Sequence, residues 1–253
     1  MCSNQEDTSG PYWIDQHDTS CAFPPVEHSL REPNGLLAAG GDLSPKRLIY
    51  AYSQGIFPWY SDDQPILWWS PDPRAVLLPE QLIVSRSLRK KIRQNKFIVT
   101  LDQSFEDVLI HCALPREKED STWITEEMHR AYMHLHKIGV AHSVEAWQDN
   151  VLVGGLYGLG IGRVFFGESM FSIVSDASKV AFTYAVRQLQ QWGYKMIDCQ
   201  VSSEHLASLG AVDIPRSEFI QYLGQCIDQP GRDDTTWQFD EGFHPLNPVN
   251  SDE

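Results

Sequence analysis

Apolar residues recur along the chain with two different periods, and each period predicts a different kind of element. A period near 3.6 residues places apolar side chains on one face of a helix. The helices predicted from this period and from helix-end signals cover residues 45–55, 82–96, 125–138 and 176–192, a short segment ending at 209–210, and residues 215–226. In the third of these, Thr125 is a good N-cap, and Gly139 follows the last apolar position.

Strand-like runs of apolar and β-branched residues lie between these helices. Runs 142–148, 151–159 and 163–171 are joined by two and three residues, which is short enough for hairpins, so we expect three antiparallel neighbours. Further strands are expected at 97–101 and 194–201. Helices, then an antiparallel meander, then a helix and a strand predict an α+β (mixed α/β) fold. The layout resembles that of acyltransferases of the N-acetyltransferase (GNAT) superfamily, which by itself says little about function.

The distribution of Gly, Pro and Trp along the chain predicts two domains. Residues 31–75 are rich in Gly, Pro and Trp, whereas regular periodicity begins near residue 73. We therefore expect a small irregular N-terminal domain at 1–72 and a larger domain at 73–253. The first twenty and last twenty or so residues are polar, acidic and aperiodic, and we expect them to be poorly ordered tails.

Composition places the chain among ordinary globular proteins, with 42% hydrophobic and 21% charged residues. Neither a membrane-length apolar run nor a secretory signal is present in the sequence, so we expect a cytoplasmic protein. Five scattered cysteines without a CxxC pair argue against a disulfide framework and against a zinc site. The nine histidines show no ligand spacing, so we predict no metal. The glycines of GLYGLGIGR fit hairpin turns better than a dinucleotide loop.

The net charge of −14 is unevenly distributed. The first 30 residues hold five acidic residues and no Lys or Arg, and residues 217–253 hold eight acidic residues and one Arg. The segment between them is therefore nearly neutral, and a local basic patch there is compatible with nucleic-acid binding.

Such a patch is predicted on the helix at 82–96. Its cations lie on one face, opposite Leu88 and Ile92, and no acidic residue in RSLRKKIRQNK balances them. The four cations of this face are Arg86, Arg89, Lys90 and Arg93. A solvated surface is the common interpretation of such a face, but four unbalanced cations are also suited to follow a phosphate backbone.

Polar residues on otherwise apolar strands are the sharpest chemical signal. Alternation along 195–201 places Asp198 and Gln200 on one face, and Glu168 interrupts a second strand at FFGESMF. These residues either form structural hydrogen bonds or line a polar site in an apolar cleft.

Two tryptophans, Trp59 in GIFPWY and Trp123 in STWIT, lie in turn-like segments. Trp59 and Trp123 suit either packing or stacking on an unpaired base. Trp68 and Trp69 are interpreted as packing residues.

Together these segments resemble the leucyl/phenylalanyl-tRNA–protein transferase family. The resemblance runs from about residue 22 to 223 through REPNGLLAAGGDLSP, GIFPWY, ILWWSPDPRAVLLPE, TWIT, AHSVEAW, VGGLYG, FFGESMFS, ASK, IDCQV and ASLGA-IPR. It implies transfer of Leu or Phe, with Met as a further candidate, from aminoacyl-tRNA to proteins that begin with Arg or Lys, marking them for N-end-rule degradation. It also implies a GNAT-like C-terminal domain, no cofactor, and partners limited to charged tRNA and acceptor protein. A monomer is expected because the sequence shows no dimer seam.

The resemblance also implies residue roles. Trp59 and Trp123 would position the terminal adenosine of the tRNA, and Glu168 would hold the aminoacyl group, while Asp198 and Gln200 would be the catalytic pair. The pocket for the Leu or Phe side chain would be lined by Leu156, Phe165, Phe182 and Ile197. The four cations of the basic helix would contact the acceptor stem.

A covalent intermediate is not needed, because an aminoacyl ester is already activated and a neutral amine can attack it directly. Gln200 is a poor base, so we expect it to orient the amine, with Asp198 setting its orientation and receiving the proton through it or through a water. Two rivals stay open. An acetyl-CoA-dependent acetyltransferase would need a pyrophosphate-binding turn, which we do not find before either candidate helix. A non-catalytic RNA-binding protein would need the basic helix and the tryptophans but not Asp198 or Glu168.

Overall fold

The computed structural model describes residues 10–114, 125–232 and 234–248, and in these residues it contains two β-sheets. The first sheet has four short strands in the order β1-β2-β4-β3, with β1 parallel to β2 and the other neighbours antiparallel. Its strands are β1 (Tyr12–Ile14), β2 (Leu36–Gly40), β3 (Phe57–Pro58) and β4 (Leu67–Trp69). Helix α1 (Pro45–Ser53) follows β2, and its N-cap Ser44 accepts a hydrogen bond from the main-chain N–H of Arg47.

The second sheet has seven strands. They are β5 (Arg74–Leu77), β6 (Ile98–Leu101), β7 (Ala141–Gln148), β8 (Val151–Ile161), β9 (Val164–Ser172), β10 (Met196–Gln200) and β11 (Val212–Ile214). Their spatial order is β11-β5-β10-β9-β8-β7-β6. All neighbours are antiparallel except β9 and β10, which are parallel. The α+β class is thereby confirmed, as is the meander β7–β8–β9.

Six further helices accompany this sheet. They are α2 (Arg86–Arg93), α3 (Phe105–Ala113), α4 (Glu126–Lys137), α5 (Ala177–Gln191), α6 (Glu204–Ala207) and α7 (Arg216–Cys226). Thr125 caps α4 as predicted. Asp176 stands at the N-cap of α5, but its side chain does not cap the helix and pairs instead with Lys91 of α2 at 2.5 Å. None of the described helices is long and apolar enough to cross a membrane.

The alternation along the central strands fills a core on each side of the large sheet. On β9, Val164 and Phe166 enter a core shared with α1, α3 and α4, whereas Phe165 enters a second core shared with α2 and α5. Phe57 and Trp68 of the small sheet belong to the first core, so one hydrophobic cluster joins the two sheets. The division into domains 1–72 and 73–253 accordingly stays a prediction.

The expectation of poorly ordered tails is wrong for the parts of the tails that the structure describes. Tyr12–Ile14 forms an edge strand, and Trp237 is buried near the other end of the chain, with 2% of its surface exposed. Trp237 stacks on the ring of His142 at 3.7 Å and 5°, and its main-chain N–H donates to Asp102. One large aromatic side chain anchors a segment that its acidic composition alone would leave in solvent.

Candidate active site

The parallel strands β9 and β10 separate, and a cavity of about 1230 Å³ opens beside the gap. Their pairing covers Val164–Phe166 and Met196–Asp198 and ends there. Residues 167–172 and 199–201 beyond that point line the cavity. The cavity is therefore lined by polar groups where the paired region ends and by apolar groups elsewhere.

Glu168 lies at this opening in a network of side-chain donors. The Tyr132 hydroxyl donates to its Oε2 at 2.7 Å, and Gln200 Nε2 donates to its Oε1 at 2.8 Å. The Tyr52 hydroxyl lies 2.6 Å from that of Tyr132. Burial raises the pKa of Glu168 to about 7, and the charge of Asp198 adds to the rise, while the hydrogen bonds from Tyr132, Tyr52 and Gln200 oppose it. This carboxyl group can therefore hold a proton or an amine near neutral pH.

Asp198 lies behind the cavity wall and is fully buried. Both of its oxygens are bound by Arg74, at 2.8 Å from Nε and 2.7 Å from Nη2. The guanidinium group of Arg74 lies between the rings of Phe57 and Phe219, at 4.8 and 4.6 Å from their centroids. A bidentate pair of this kind fixes the orientation of the carboxylate.

Gln200 is placed by an irregularity in β10. The register to β5 shifts between Asp198 and Gln200, and Gln200 has a left-handed φ of 63°. Its main-chain N–H donates to Oδ1 of Asp198 at 2.9 Å, while its side chain reaches Glu168. Simple alternation along the strand does not describe this arrangement: Asp198 holds the backbone of Gln200, and Glu168 holds its side chain.

The four residues that the resemblance assigns to the side-chain pocket lie together on the wall of this cavity. All four are nearly inaccessible. They come from three strands and one helix: Leu156 of β8, Phe165 of β9, Ile197 of β10 and Phe182 of α5. The result is an apolar recess beside the Glu168 carboxyl group.

Two tryptophans lie at the edge of this cavity. Trp59 is 49% exposed, and its ring lies 5.9 Å from that of Trp69 at 56°. The indole N–H of Trp69 donates to the carbonyl of Trp59 at 2.7 Å. Trp69 packs against the first core, as predicted, and it also lines the cavity. Trp68 is fully buried in the first core, and Trp123 lies outside the described residues.

The basic face forms a separate concave surface on α2. Leu88 and Ile92 are buried, and the four predicted cations are all exposed around a groove of about 840 Å³. Among the described residues none of the four has an acidic partner at ion-pair distance. Lys91 on the same helix differs, because it pairs with Asp176. The helix begins at Arg86 rather than near residue 82, since Ser85 caps it.

Comparison with known protein families matches both halves of this architecture. Residues 76–224 match the family model described as leucyl/phenylalanyl-tRNA protein transferase, and residues 41–72 match the model of its N-terminal domain. The chain belongs to the leucyl/phenylalanyl-tRNA–protein transferase family. Members of this family use aminoacyl-tRNA as donor and a protein as acceptor.

Relatives of the family are similar over most of their length. A leucyl/phenylalanyl-tRNA–protein transferase of Saccharophagus degradans is 58% identical over 85% of this chain and 88% of its own. One of Azotobacter vinelandii is 59% identical over 85% of this chain and 95% of its own. Among solved structures, a GCN5-related N-acetyltransferase from Kribbella flavida is 13% identical over 67% of this chain and 60% of its own, with a TM-score of 0.36. A score this low carries no weight, so the GNAT likeness stays a prediction.

For this family member, sequence reasoning missed the partners of the predicted residues. Arg74, Tyr52 and Tyr132 bind Asp198 and Glu168 but had no role in the prediction. A signal for Arg74 was present, since an arginine that begins the apolar run RAVL must find a carboxylate when it is buried. The tyrosines gave no such signal, because a tyrosine at helical spacing is equally suited to a core.

Proposed function

We propose that this chain transfers Leu or Phe from aminoacyl-tRNA to the N-terminal amine of proteins that begin with Arg or Lys, marking them for N-end-rule degradation. Family membership supports the reaction class. The observation that carries the assignment to this cavity is the Glu168–Gln200 hydrogen bond at the mouth of an apolar recess. We further propose that the protein acts as a monomer in the cytoplasm.

The recess suits an unbranched-at-Cβ apolar side chain. Leu156, Phe165, Phe182 and Ile197 present hydrocarbon surface, so the side chain of the donor gains free energy in proportion to its buried area. One missing methylene changes such binding by only about 1–3 kcal/mol. Met is therefore a further candidate donor side chain, because the recess discriminates against it less strongly than against a polar side chain.

Glu168 holds the α-amine of the donor in this proposal. Its carboxyl group faces the cavity beside the recess and binds donors on both oxygens. An ammonium group next to it would favour the ionised carboxylate, which burial disfavours in the unliganded protein. Trp59, at the exposed edge, and Trp123 would stack on the terminal adenosine, and the four cations of α2 would contact the acceptor stem.

Gln200 orients the attacking amine, and Asp198 is the positioning residue behind it. The amine attacks the ester carbonyl carbon, the new amide bond forms, and the bond to the tRNA ribose oxygen breaks. The proton lost by the amine passes, through Gln200 and water, to the ribose oxygen that leaves with the tRNA. Orientation of the amine contributes as much as about 7–11 kcal/mol to such a reaction.

The test uses Phe-tRNA labelled on its amino acid and two peptides, one beginning with Arg and one with acetyl-Arg. We expect label on the free-amine peptide alone, and its loss in Gln200→Ala. The matched control is Gln221→Ala, an exposed glutamine on α7. Binding of tRNA without transfer to either peptide would instead favour a non-catalytic RNA-binding protein.

A further inference from the structure

A fifth cation, Arg187 of helix α5, faces the basic face of α2 from a different element. Its side chain is half-buried, and Nη1 donates to Oε1 of Gln190 at 2.7 Å. Burial lowers the pKa of Arg187, and the charge of Arg89 lowers it further. In the described part of the chain no carboxylate pairs with either arginine. Two neighbouring cations without a counter-ion repel each other, and an anion between them would relieve that repulsion.

The space between the two arginines is a recess of about 390 Å³. It is lined by Arg89, Arg187, Gln190, Val84 and residues 245–248. Val84 and Arg89 also line the larger groove along α2, so the recess and the groove adjoin each other. Guanidinium groups bind phosphate oxygens through paired N–H donors, which a single lysine on a smooth surface cannot do.

We propose that Arg187 and Arg89 together bind one backbone phosphate of the tRNA, which extends the nucleic-acid surface from α2 onto α5. The proposal rests on the proposed function for its ligand, because an aminoacyl-tRNA is the polyanion that must reach this protein.

Helix α5 relates this site to the acyl pocket. Phe182 lines the pocket, and Arg187 follows it by five residues, which is about 7.5 Å along a helix axis. A single rigid helix thus carries a wall of the acyl pocket and one side of the phosphate recess. The phosphate of this proposal would then belong to the part of the tRNA near its charged end.

The experiment measures binding of uncharged tRNA as a function of salt for three variants. Arg187→Gln removes the cation and keeps a good helix former, Arg187→Lys keeps the charge, and Lys137→Gln removes an exposed cation at the end of α4 as the matched control. The same proteins are assayed for transfer from Phe esterified to adenosine, a donor that has no phosphate.

For Arg187→Gln we expect a Kd for tRNA raised by about threefold to tenfold at low salt, the scale of one net hydrogen bond at a half-exposed site. We expect the slope of log K against log salt to become shallower by up to about 0.9, the full value for one phosphate, because Arg89 still contacts the shared phosphate. Arg187→Lys should keep most of the slope, and transfer from the adenosine ester should not change in any variant.

Two results would overturn the proposal. One is a salt slope in Arg187→Gln equal to that of Lys137→Gln, which would show that Arg187 touches no phosphate. The other is an equal loss of transfer from the adenosine ester, which would make Arg187 a support of the acyl pocket. If the unaltered protein transfers from neither donor while the salt slopes differ as expected, the proposed function fails and the phosphate site stands.

Discussion

Arg74 and Asp198 are oppositely charged residues that are both fully buried and bind each other through two hydrogen bonds. Taking such charges out of water is costly, so a well-packed apolar pair is often at least as stable. The role of the charged pair here is to fix the position of the Asp198 carboxylate. This pairing holds Oδ1 of Asp198 against the main-chain N–H of Gln200, at the residue where β10 leaves its regular register. The pair therefore places Gln200 at the cavity.

Asp198→Asn tests this role with nearly unchanged volume. We expect transfer from Phe-tRNA to slow by at least about tenfold, because the amide cannot accept both Arg74 hydrogen bonds and that of Gln200 N–H. The Kd for tRNA should change far less. The measurements are single-turnover transfer and tRNA binding, with exposed Asp213→Asn as the control. Equal losses of transfer and of tRNA binding would contradict the positioning role.

The raised pKa of Glu168 predicts that the stability of the protein depends on pH. Burial raises the pKa of Glu168 from its ordinary value near 4.5 to about 7 in the folded protein, so the folded state favours the protonated form. The stabilisation of the folded state by this protonation is fully present below about pH 4.5, and it is lost as the pH rises through about 7. Compared with Glu168→Gln, the original protein should therefore lose unfolding free energy between pH 5 and pH 8. Denaturant unfolding at each pH measures this, and parallel pH curves for the two proteins would refute the raised pKa.

Five of the seven strands of the large sheet followed from the sequence, while β5, β11 and the strands of the small sheet did not. The meander of β7, β8 and β9 was predictable because its connections are too short for anything but hairpins. The strands of the small sheet have two to five residues, which is too few for a period to show. The bulge at Gln200 lies next to Asp198, whose buried partner Arg74 is distant in sequence. Local patterns thus singled out Glu168, Asp198 and Gln200 as polar residues on apolar strands, but not the contacts that hold them.

The segment that carries Trp237 depends on one glycine of β8. A Cβ on Gly160 would lie 2.8 Å from Cζ2 of Trp237 and 2.8 Å from the Tyr194 hydroxyl oxygen, closer than real Cβ atoms approach. We therefore expect Gly160→Ala to lower the unfolding free energy by about 1–3 kcal/mol, as overpacking does, and to expose Trp237. Thermal unfolding and tryptophan fluorescence measure the two effects.

Gly224 on α7 provides the opposite control, because a Cβ there would meet nothing within 4 Å. Gly224→Ala should leave Trp237 buried and raise stability by up to about 1 kcal/mol, the difference in helix propensity. Unchanged fluorescence and stability in Gly160→Ala would show that the C-terminal segment adjusts its position without cost.

The whole molecule combines a net charge of −14 with a basic groove that has no acidic partner among the described residues. The acidic ends repel a polyanion at long range, and salt screens that repulsion beyond about 10 Å at 0.1 M. The groove acts at contact distance through counter-ion release, which salt opposes. Because the two effects have opposite salt dependence, the sign of the measured dependence shows which one governs the encounter with tRNA.

We expect the groove to govern it. Four phosphate contacts by Arg86, Arg89, Lys90 and Arg93 would give a slope of log K against log salt of about −3.6, or a loss of about a hundredfold in kcat/KM for Phe-tRNA between 50 and 200 mM salt. Transfer from Phe esterified to adenosine should be almost independent of salt, since that donor has no phosphate. Replacing Arg86 and Lys90 by Gln should make the slope shallower by about 1.8. A rate that rises with salt, or an equal salt dependence for both donors, would show that the acidic ends rather than the groove control access of the tRNA.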